Sequence, residues 1–250
     1  MSTSADPLNE LDASALSVKG GSVRGMRGRG VPMVTEVAEY GGEEVLAVSC
    51  TQLGTAYSAA QARRVVEEWV EFFAAGPSGV RDLEFVTRTP KRLFAALRGQ
   101  TQLQRLAVKW GDYEDLSSLS ELENLRELRL GGASRVTSVE PLACLTTLNS
   151  LVVEGLRRAH DLSPLGRLRG LKSLELGGDW KSPRTAHVQS IDFLRHLTQL
   201  EDLLLHTIVA DDLEYTSLLA LPRLKSVRVM EVRGMNPPHA TLRRMLSWSA

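Results

Sequence analysis

Apolar residues recur along the chain in triplets whose members are three and then two positions apart. Leu125, Leu128 and Leu130 form the clearest triplet, and six others match it. The triplets start at residues 80, 103, 125, 148, 171, 200 and 224, so the starts lie 22 to 24 residues apart except for one step of 29. Because side chains alternate between the two faces of a strand, each triplet predicts a short strand with one apolar face.

A second apolar pattern precedes five of the triplets. Its residues stand nine, six and three positions before the start, as in Leu162, Leu165 and Leu168. A spacing of three is the period of a 3₁₀ helix. Short polar residues that could cap such segments stand directly before four of them: Asp115, Ser138, Asp161 and Ser190.

Each unit is therefore a strand, a turn, a short helical segment and a return. One unit cannot bury its apolar side alone, but stacked units share a continuous core. Of the 40 leucines in the chain, 30 lie between residues 103 and 224, where the pattern is clearest. We predict an α/β solenoid with a parallel concave sheet of about seven strands and a convex side of 3₁₀ or short helical segments.

The repeats resemble leucine-rich repeats of the short bacterial, internalin-like class. DLSPLGRLRGLKSLEL at residues 161–176 carries the resemblance most fully, and it extends over roughly residues 80–230. It implies a leucine-rich-repeat solenoid. The asparagine that this family places three residues after the strand leucine is absent, and those positions hold Gly111, Ala133, Leu156, Asp179 and Ile208. We expect the Gly131–Gly132 and Gly177–Gly178 pairs to solve the turn hydrogen bonding instead.

The segment before the repeats has the features of an N-terminal cap, which we place at residues 31–79. Met33–Tyr40 and Glu43–Cys50 flank two glycines, a pattern that predicts a β-hairpin with a two-residue turn. Residues 58–75 predict an amphipathic helix with a capping box formed by Ser58 and Gln61. We expect this helix to lie on the first repeat.

The repeats occupy residues 80–232, and a C-terminal cap or tail follows at 233–250. There we expect a closing helix over residues 241–248, with Met245, Leu246 and Trp248 shielding the last repeat. Residues 1–30 are small, polar and glycine-rich, which predicts a disordered tail.

Composition excludes several classes of protein. The 30 basic and 30 acidic residues balance, which argues against a globally basic nucleic-acid binder. The chain lacks an apolar run long enough for a transmembrane helix and lacks a secretory signal at its start. Cys50 and Cys144 stand in unrelated contexts, as expected in a reducing compartment. We expect a soluble, monomeric cytoplasmic protein.

No phosphate-binding loop, metal-binding motif or nucleophile elbow is found, so we expect no cofactor, no metal site and no enzymatic activity. Two alternatives remain. Lys19, Arg24, Arg27 and Arg29 form a tract without acidic residues that could bind RNA. His206, with Asp211 and Asp212 nearby, could supply a base and its orienting carboxylate for an enzyme.

The surface that remains is the concave sheet. If triplet residues face the core, the third, fifth and seventh positions of each unit face outward. Two tryptophans stand just past strands, and the long repeat carries an insertion at residues 179–189 that predicts a rim loop. We predict a protein-binding surface formed by Arg105, Lys109, Trp110, Glu127, Arg129, Glu154, Glu175, Trp180, Asp202, His206 and Arg228. In the alternative interpretation, these charges only pair with one another.

Overall fold

The computed structural model of the protein describes residues 31–177 and 185–248. Its main feature is a parallel sheet of nine strands, in chain order apart from two strands that pair elsewhere. The nine are β1 (Met33–Val34), β2 (Val45–Val48), β3 (Asp82–Thr89), β4 (Arg105–Gly111), β5 (Glu127–Leu130), β6 (Ser150–Glu154), β7 (Ser173–Gly177), β9 (Asp202–His206) and β11 (Ser226–Val229). Seven are the predicted repeat strands, and the N-terminal cap adds two.

Neighbouring repeat strands pair in the same register along each triplet, with one register shift between β3 and β4 after Phe85. Leu106 lies beside Leu128, Leu128 beside Leu151, and Leu151 beside Leu174. Each position of the repeat therefore forms a straight column across the sheet, and a property of one column extends over several strands.

The predicted core is confirmed. Every residue of the seven triplets is buried except Leu224, which is half-buried. The residues of the second pattern are also buried, so that one apolar core runs from Val34 to Leu242. The strands supply one wall of this core and the convex segments supply the other.

The convex side consists of 3₁₀ helices, as the spacing of three predicts. They span Ser117–Leu119, Glu140–Cys144, Ser163–Arg167, Asp192–His196 and Thr216–Ala220. The four expected capping residues each accept a hydrogen bond from the backbone N–H two positions ahead, at 2.8 to 3.2 Å. These bonds satisfy N–H groups that a short helix leaves free.

Backbone hydrogen bonds replace the missing asparagines. The N–H of Gly131 donates to the Val108 carbonyl at 2.8 Å, and the N–H of Gly155 donates to the Gly177 carbonyl at 2.7 Å. A side chain at Gly131 would collide with the carbonyl oxygen of Lys109. Glycine is thus required where two turns approach closely, as expected for the first pair. Gly178 lies outside the described residues.

The prediction of a β-hairpin in the N-terminal cap is wrong. β1 and β2 pair in parallel, with Met33 beside Ala47, and a 3₁₀ turn at Val37–Glu39 lies between them. Of the two glycines, only Gly42 has a positive φ, of 99°. The tight turns of two-residue hairpins need a positive φ at the first central residue, so Gly41–Gly42 cannot form one. The segment instead extends the parallel sheet.

The predicted N-terminal helix is present as α1 (Ala59–Ala74), with Ser58 as its N-cap and the capping box completed by Gln61. Val65, Trp69 and Phe73 are its buried residues. The Phe73 ring lies 6.0 Å from that of Phe85 in β3, so the helix covers the start of the core. A second helix, α2 (Lys91–Ala95), follows β3.

The insertion of the long repeat contains a strand where we expected only a loop. β8 (Ala186–Val188) pairs in parallel with β10 (Ile208–Ala210) in a separate two-stranded sheet. Ala186 and Val188 are buried, and this alternation of apolar side chains explains the strand. The rest of the insertion, residues 179–184, lies outside the described part of the chain.

The C-terminal segment closes the core. α3 (His239–Met245) buries Leu242 completely, whereas Met245 is 60% exposed and does not shield the last repeat as predicted. Leu246 and Trp248 pack against the core. Trp248 also forms a parallel β-bridge with Val227 of β11, the strand at the edge of the main sheet. In the described ranges, no helix has the length and apolarity needed to cross a membrane.

Candidate functional site

The concave face is the side of the main sheet that points away from the core. It is formed by the third, fifth and seventh positions of the repeats from β3 to β11. Since the registers match along the triplets, side chains at the third and fifth positions stand next to their equivalents on the neighbouring strands, and a shift after Phe85 displaces the seventh position of β3. We distinguish an N-terminal half, β3 to β5, from a C-terminal half, β6, β7, β9 and β11.

The N-terminal half carries a row of ion pairs across its strands. Arg105 lies between Asp82 and Glu127, with nitrogen to oxygen distances of 2.8 and 3.9 Å. The hydrogen bond that Arg105 donates to the Asp82 carboxylate raises the pKa of the Arg105 guanidinium. Asp82 is only 8% exposed, so this carboxylate is held in a largely dry position by its partner. The interpretation in which charges pair with one another applies to this row.

Arg129 links the two halves. Its guanidinium forms an ion pair with Glu154 at the end of β6, and both side chains are mostly buried. Glu154 is therefore compensated from the neighbouring strand. Lys109, at the end of β4, is exposed.

The C-terminal half has charges without such pairing. Among the described residues, Glu175, Asp202 and Arg228 form no ion pair with one another or with other side chains. Burial raises the pKa of the Glu175 carboxyl, Arg129 opposes this effect, and Glu154 adds to it. Val152 and Leu204 flank Glu175 on the adjacent strands. A carboxylate is thus held in a partly apolar position with little compensation.

Trp110 lies at the rim of the concave face, at the end of β4, and is 37% exposed. The Arg88 guanidinium lies over its ring at 5.9 Å from the centroid and also pairs with Asp112. A cation and a neighbouring strand therefore hold the indole in place while one part of it remains accessible. The other rim tryptophan, Trp180, lies outside the described residues, as does the basic tract within residues 1–30.

His206 does not have the surroundings that the enzyme alternative requires. The Asp211 carboxylate lies 2.7 Å from Nδ1 of His187, and Asp212 accepts a hydrogen bond from the Glu214 N–H. Nδ1 of His206 instead lies 3.2 Å from the Thr207 hydroxyl, and burial lowers the pKa of this imidazole. Both aspartates are committed elsewhere, so the expected base and orienting carboxylate are not assembled.

The described ranges also contain no cluster of His, Cys, Asp or Glu side chains arranged to hold a metal ion. Of the two cysteines, Cys50 is buried, which raises its pKa to about 12, and Cys144 is exposed. The concave face and its rim are accordingly the surface on which a function has to be sought.

The sequence places neutral residues at outward positions of this surface, but the predicted binding residues did not include them. Val152 is 1% exposed and Ser150 is 9% exposed, although both stand at outward-facing positions of β6. Their columns were visible in the repeat, but burial at an outward position depends on the longer side chains of the adjacent strands. In the sequence, the signal for such a buried position is an apolar or small residue at an outward position between charged columns.

Comparisons with known proteins concern the fold. No protein-family model matches the sequence, and no curated protein matches it significantly. Internalin C2 from Listeria monocytogenes has a similar structure, with 21% identity, a TM-score of 0.47 and coverage of 65% of this chain and 72% of that chain. A leucine-rich-repeat protein from Leptospira interrogans has 13% identity, a TM-score of 0.44 and coverage of 80% and 59%.

A second Listeria monocytogenes internalin, InlF, is similar at 17% identity and a TM-score of 0.40, over 72% of this chain and 57% of that chain. The chain's own features define its class: a strand in every repeat, 3₁₀ segments on the convex side and one leucine core. The protein is a leucine-rich-repeat solenoid. Within that class it resembles bacterial proteins of the internalin-like type.

Proposed function

We propose that this protein is a non-enzymatic scaffold that binds another protein through its concave face and rim. The observation that carries the proposal is the separation of the two sides of the sheet. The apolar columns of the triplets all lie on the core side of the sheet. The opposite side presents a wide surface of charged, aliphatic and aromatic side chains. The seven strands of the concave face, at about 4.8 Å spacing, span roughly 29 Å, enough for a helix or a small domain.

The composition of that surface favours a protein over a nucleic acid as the partner. Carboxylates and guanidinium groups alternate along it, whereas a phosphate backbone selects a surface of positive charge. Trp110 is a partly exposed indole on a rigid strand end, the type of residue that commonly anchors protein interfaces. Mixed charge around an aromatic anchor provides specificity through complementary charges.

The test is capture of a partner by the full chain and by two variants. Trp110→Ala combined with Arg129→Glu changes the concave face and rim. Arg169→Glu, in an exposed turn after a convex segment, is a matched charge reversal on another surface. We expect Arg169→Glu to retain the captured protein and the double variant to lose it, with unchanged circular dichroism for both. Retention by the double variant would contradict the proposal.

We also propose a cytoplasmic location. The support is the state of the cysteines, since both are free, with Cys50 in the N-terminal cap and Cys144 in a repeat. An exposed thiol such as Cys144 persists in a reducing compartment. Fractionation of the native host cells, followed by detection of the protein, tests this location, and recovery outside the cytoplasm would overturn it.

A further inference from the structure

We propose that the C-terminal half of the concave face binds a basic segment of the protein partner, with a lysine or arginine of that segment contacting Glu175. We call this region the Glu175 site and define it by Ser150, Val152, Glu175, Asp202 and Leu204. The inference rests on the proposed function and specifies the chemistry of the partner at one place on the surface.

The site is built by three adjacent strands. Val152, Glu175 and Leu204 lie side by side on β6, β7 and β9 because the register is uniform. The carboxylate therefore stands between Val152, which is buried, and Leu204, which is half-buried and offers apolar surface to a partner. Lysine and arginine carry aliphatic stems that pack on apolar surface while their charged ends contact an acid. An uncharged apolar partner would instead bury Glu175 without compensation, which is costly.

The charge balance of this half is negative. Glu154 is paired with Arg129, so it contributes little net charge. Glu175 and Asp202 have no such pair in the described ranges, and Arg228 lies two strands from Glu175, roughly 10 Å away. A basic segment is the partner that complements two carboxylates without an ion pair.

The side chain of Ser150 is an independent indication that this region lacks a hydrogen-bond partner. It is 9% exposed, stands on the concave side of β6 beside Ser173, and its hydroxyl has no hydrogen-bond partner among the described residues. A buried hydroxyl without a partner is destabilising. A backbone group of a bound segment could satisfy it once a neighbouring side chain turns aside. The polar atom thus points to a ligand on the same face as Glu175.

The test measures fluorescence anisotropy of labelled peptides with the full chain. The basic probe alternates threonine and lysine, and the control probe alternates threonine and glutamate at equal length. We expect the basic probe to bind the wild type and the acidic probe not to bind. Glu175→Gln keeps the shape of the side chain and removes its charge, and we expect it to weaken binding of the basic probe about tenfold.

Glu84→Gln is the matched control variant. Glu84 occupies the same position of the repeat on β3, between Ala47 and Ala107. Like Glu175 it has no ion pair among the described residues, but its half also holds Arg105 and Lys109. We expect this variant to bind as the wild type does. Equal weakening by the two substitutions, or equal binding of the two probes, overturns the Glu175 site. That result leaves the wider proposal intact if Trp110→Ala with Arg129→Glu still loses the captured protein.

Discussion

The two halves of the concave face are built from the same repeat but differ in how their charged side chains are paired. In the N-terminal half, three acidic and three basic outward residues balance, and Arg105 pairs with carboxylates on both sides. In the C-terminal half, Glu154 pairs with Arg129 from the other half, and Glu175 and Asp202 face a single arginine, Arg228. The first arrangement joins Asp82, Arg105 and Glu127 in a row of ion pairs and leaves Glu84 and Lys109 outside it, whereas the second leaves Glu175, Asp202 and Arg228 without an ion pair among the described residues.

The difference shows that a uniform backbone does not imply a uniform surface. The strands of both halves pair in the same register along the triplets, and the one shift lies between β3 and β4 after Phe85. Only the side chains at three positions in each repeat change, and these positions are separated from the core by the sheet itself. Structural and binding requirements can therefore be tested independently by substitutions on adjacent residues.

The largest expected effect comes from placing a charge on the core side of the C-terminal half. Leu203→Asp puts a carboxylate in a position that is 2% exposed, so we expect a loss of about 4 kcal/mol in the free energy of unfolding. Leu204→Asp, one residue further on the concave face, should cost less than about 1 kcal/mol. Urea denaturation followed by circular dichroism measures both. Similar losses would contradict the assignment of the two faces.

A smaller loss should follow from removing one charge of the N-terminal half. Asp82→Asn takes the buried partner from Arg105, and we expect it to lower the free energy of unfolding by about 1 kcal/mol. Glu84→Gln, two residues along the same strand, should have an effect near zero. If Asp82→Asn is also neutral, the pairing in this half does not stabilise the fold and the contrast between the halves is one of charge alone.

Trp110→Ala tests whether the rim belongs to the binding surface or to the fold. The indole contacts Arg88 and is 37% exposed, so its removal should cost about 1 kcal/mol of stability at most. Capture of the partner should nevertheless be weakened strongly. Thermal unfolding gives the first quantity and quantitative pull-down the second. A large drop in stability with unchanged capture would make Trp110 a structural residue.

The smallest effect, of opposite sign, is expected at Glu175. Burial raises the pKa of this carboxyl, so its ionisation opposes folding as the pH rises through the raised pKa. Glu175→Gln should therefore be more stable than the wild type at neutral pH, by about 0.5 kcal/mol because the side chain is only half-buried. The gain should vanish below about pH 4, where the carboxyl is protonated in both states. Unfolding curves across that range measure it, and a loss at neutral pH would show that Glu175 is stabilising.

The repeat and the core could be predicted because each leucine position is set by a local rule. Triplet spacing determines the strand, the spacing of three determines the 3₁₀ segment, and both recur often enough to exclude chance. The prediction of an N-terminal hairpin was wrong because it rested on the residue types of Gly41 and Gly42 alone. Parallel addition of β1 to β2 is a contact between distant segments, and the glycines alone do not encode it.

The candidate site could be predicted as a set of positions but not as a pattern of interactions. Alternation placed Arg105, Glu175 and Asp202 on one face. Whether a carboxylate finds a partner depends on rotamers and on the neighbouring columns, so the pairing of Asp82 and the isolation of Glu175 emerged only in three dimensions. The assignment of Asp211 to His187 over His206 depends likewise on the second sheet.

The C-terminal bridge from Trp248 to Val227 has a consequence for self-association. A parallel solenoid could add a further strand from another molecule at either end, because edge strands expose unpaired backbone groups. Here the N–H of Val227 already donates to the Ser247 carbonyl at 3.0 Å, and the opposite edge ends in the two-residue β1. Both edges of the main sheet therefore expose few unpaired backbone groups to which a strand of another molecule could add. Substitutions on the concave face can change partner binding without creating an edge that favours fibril formation.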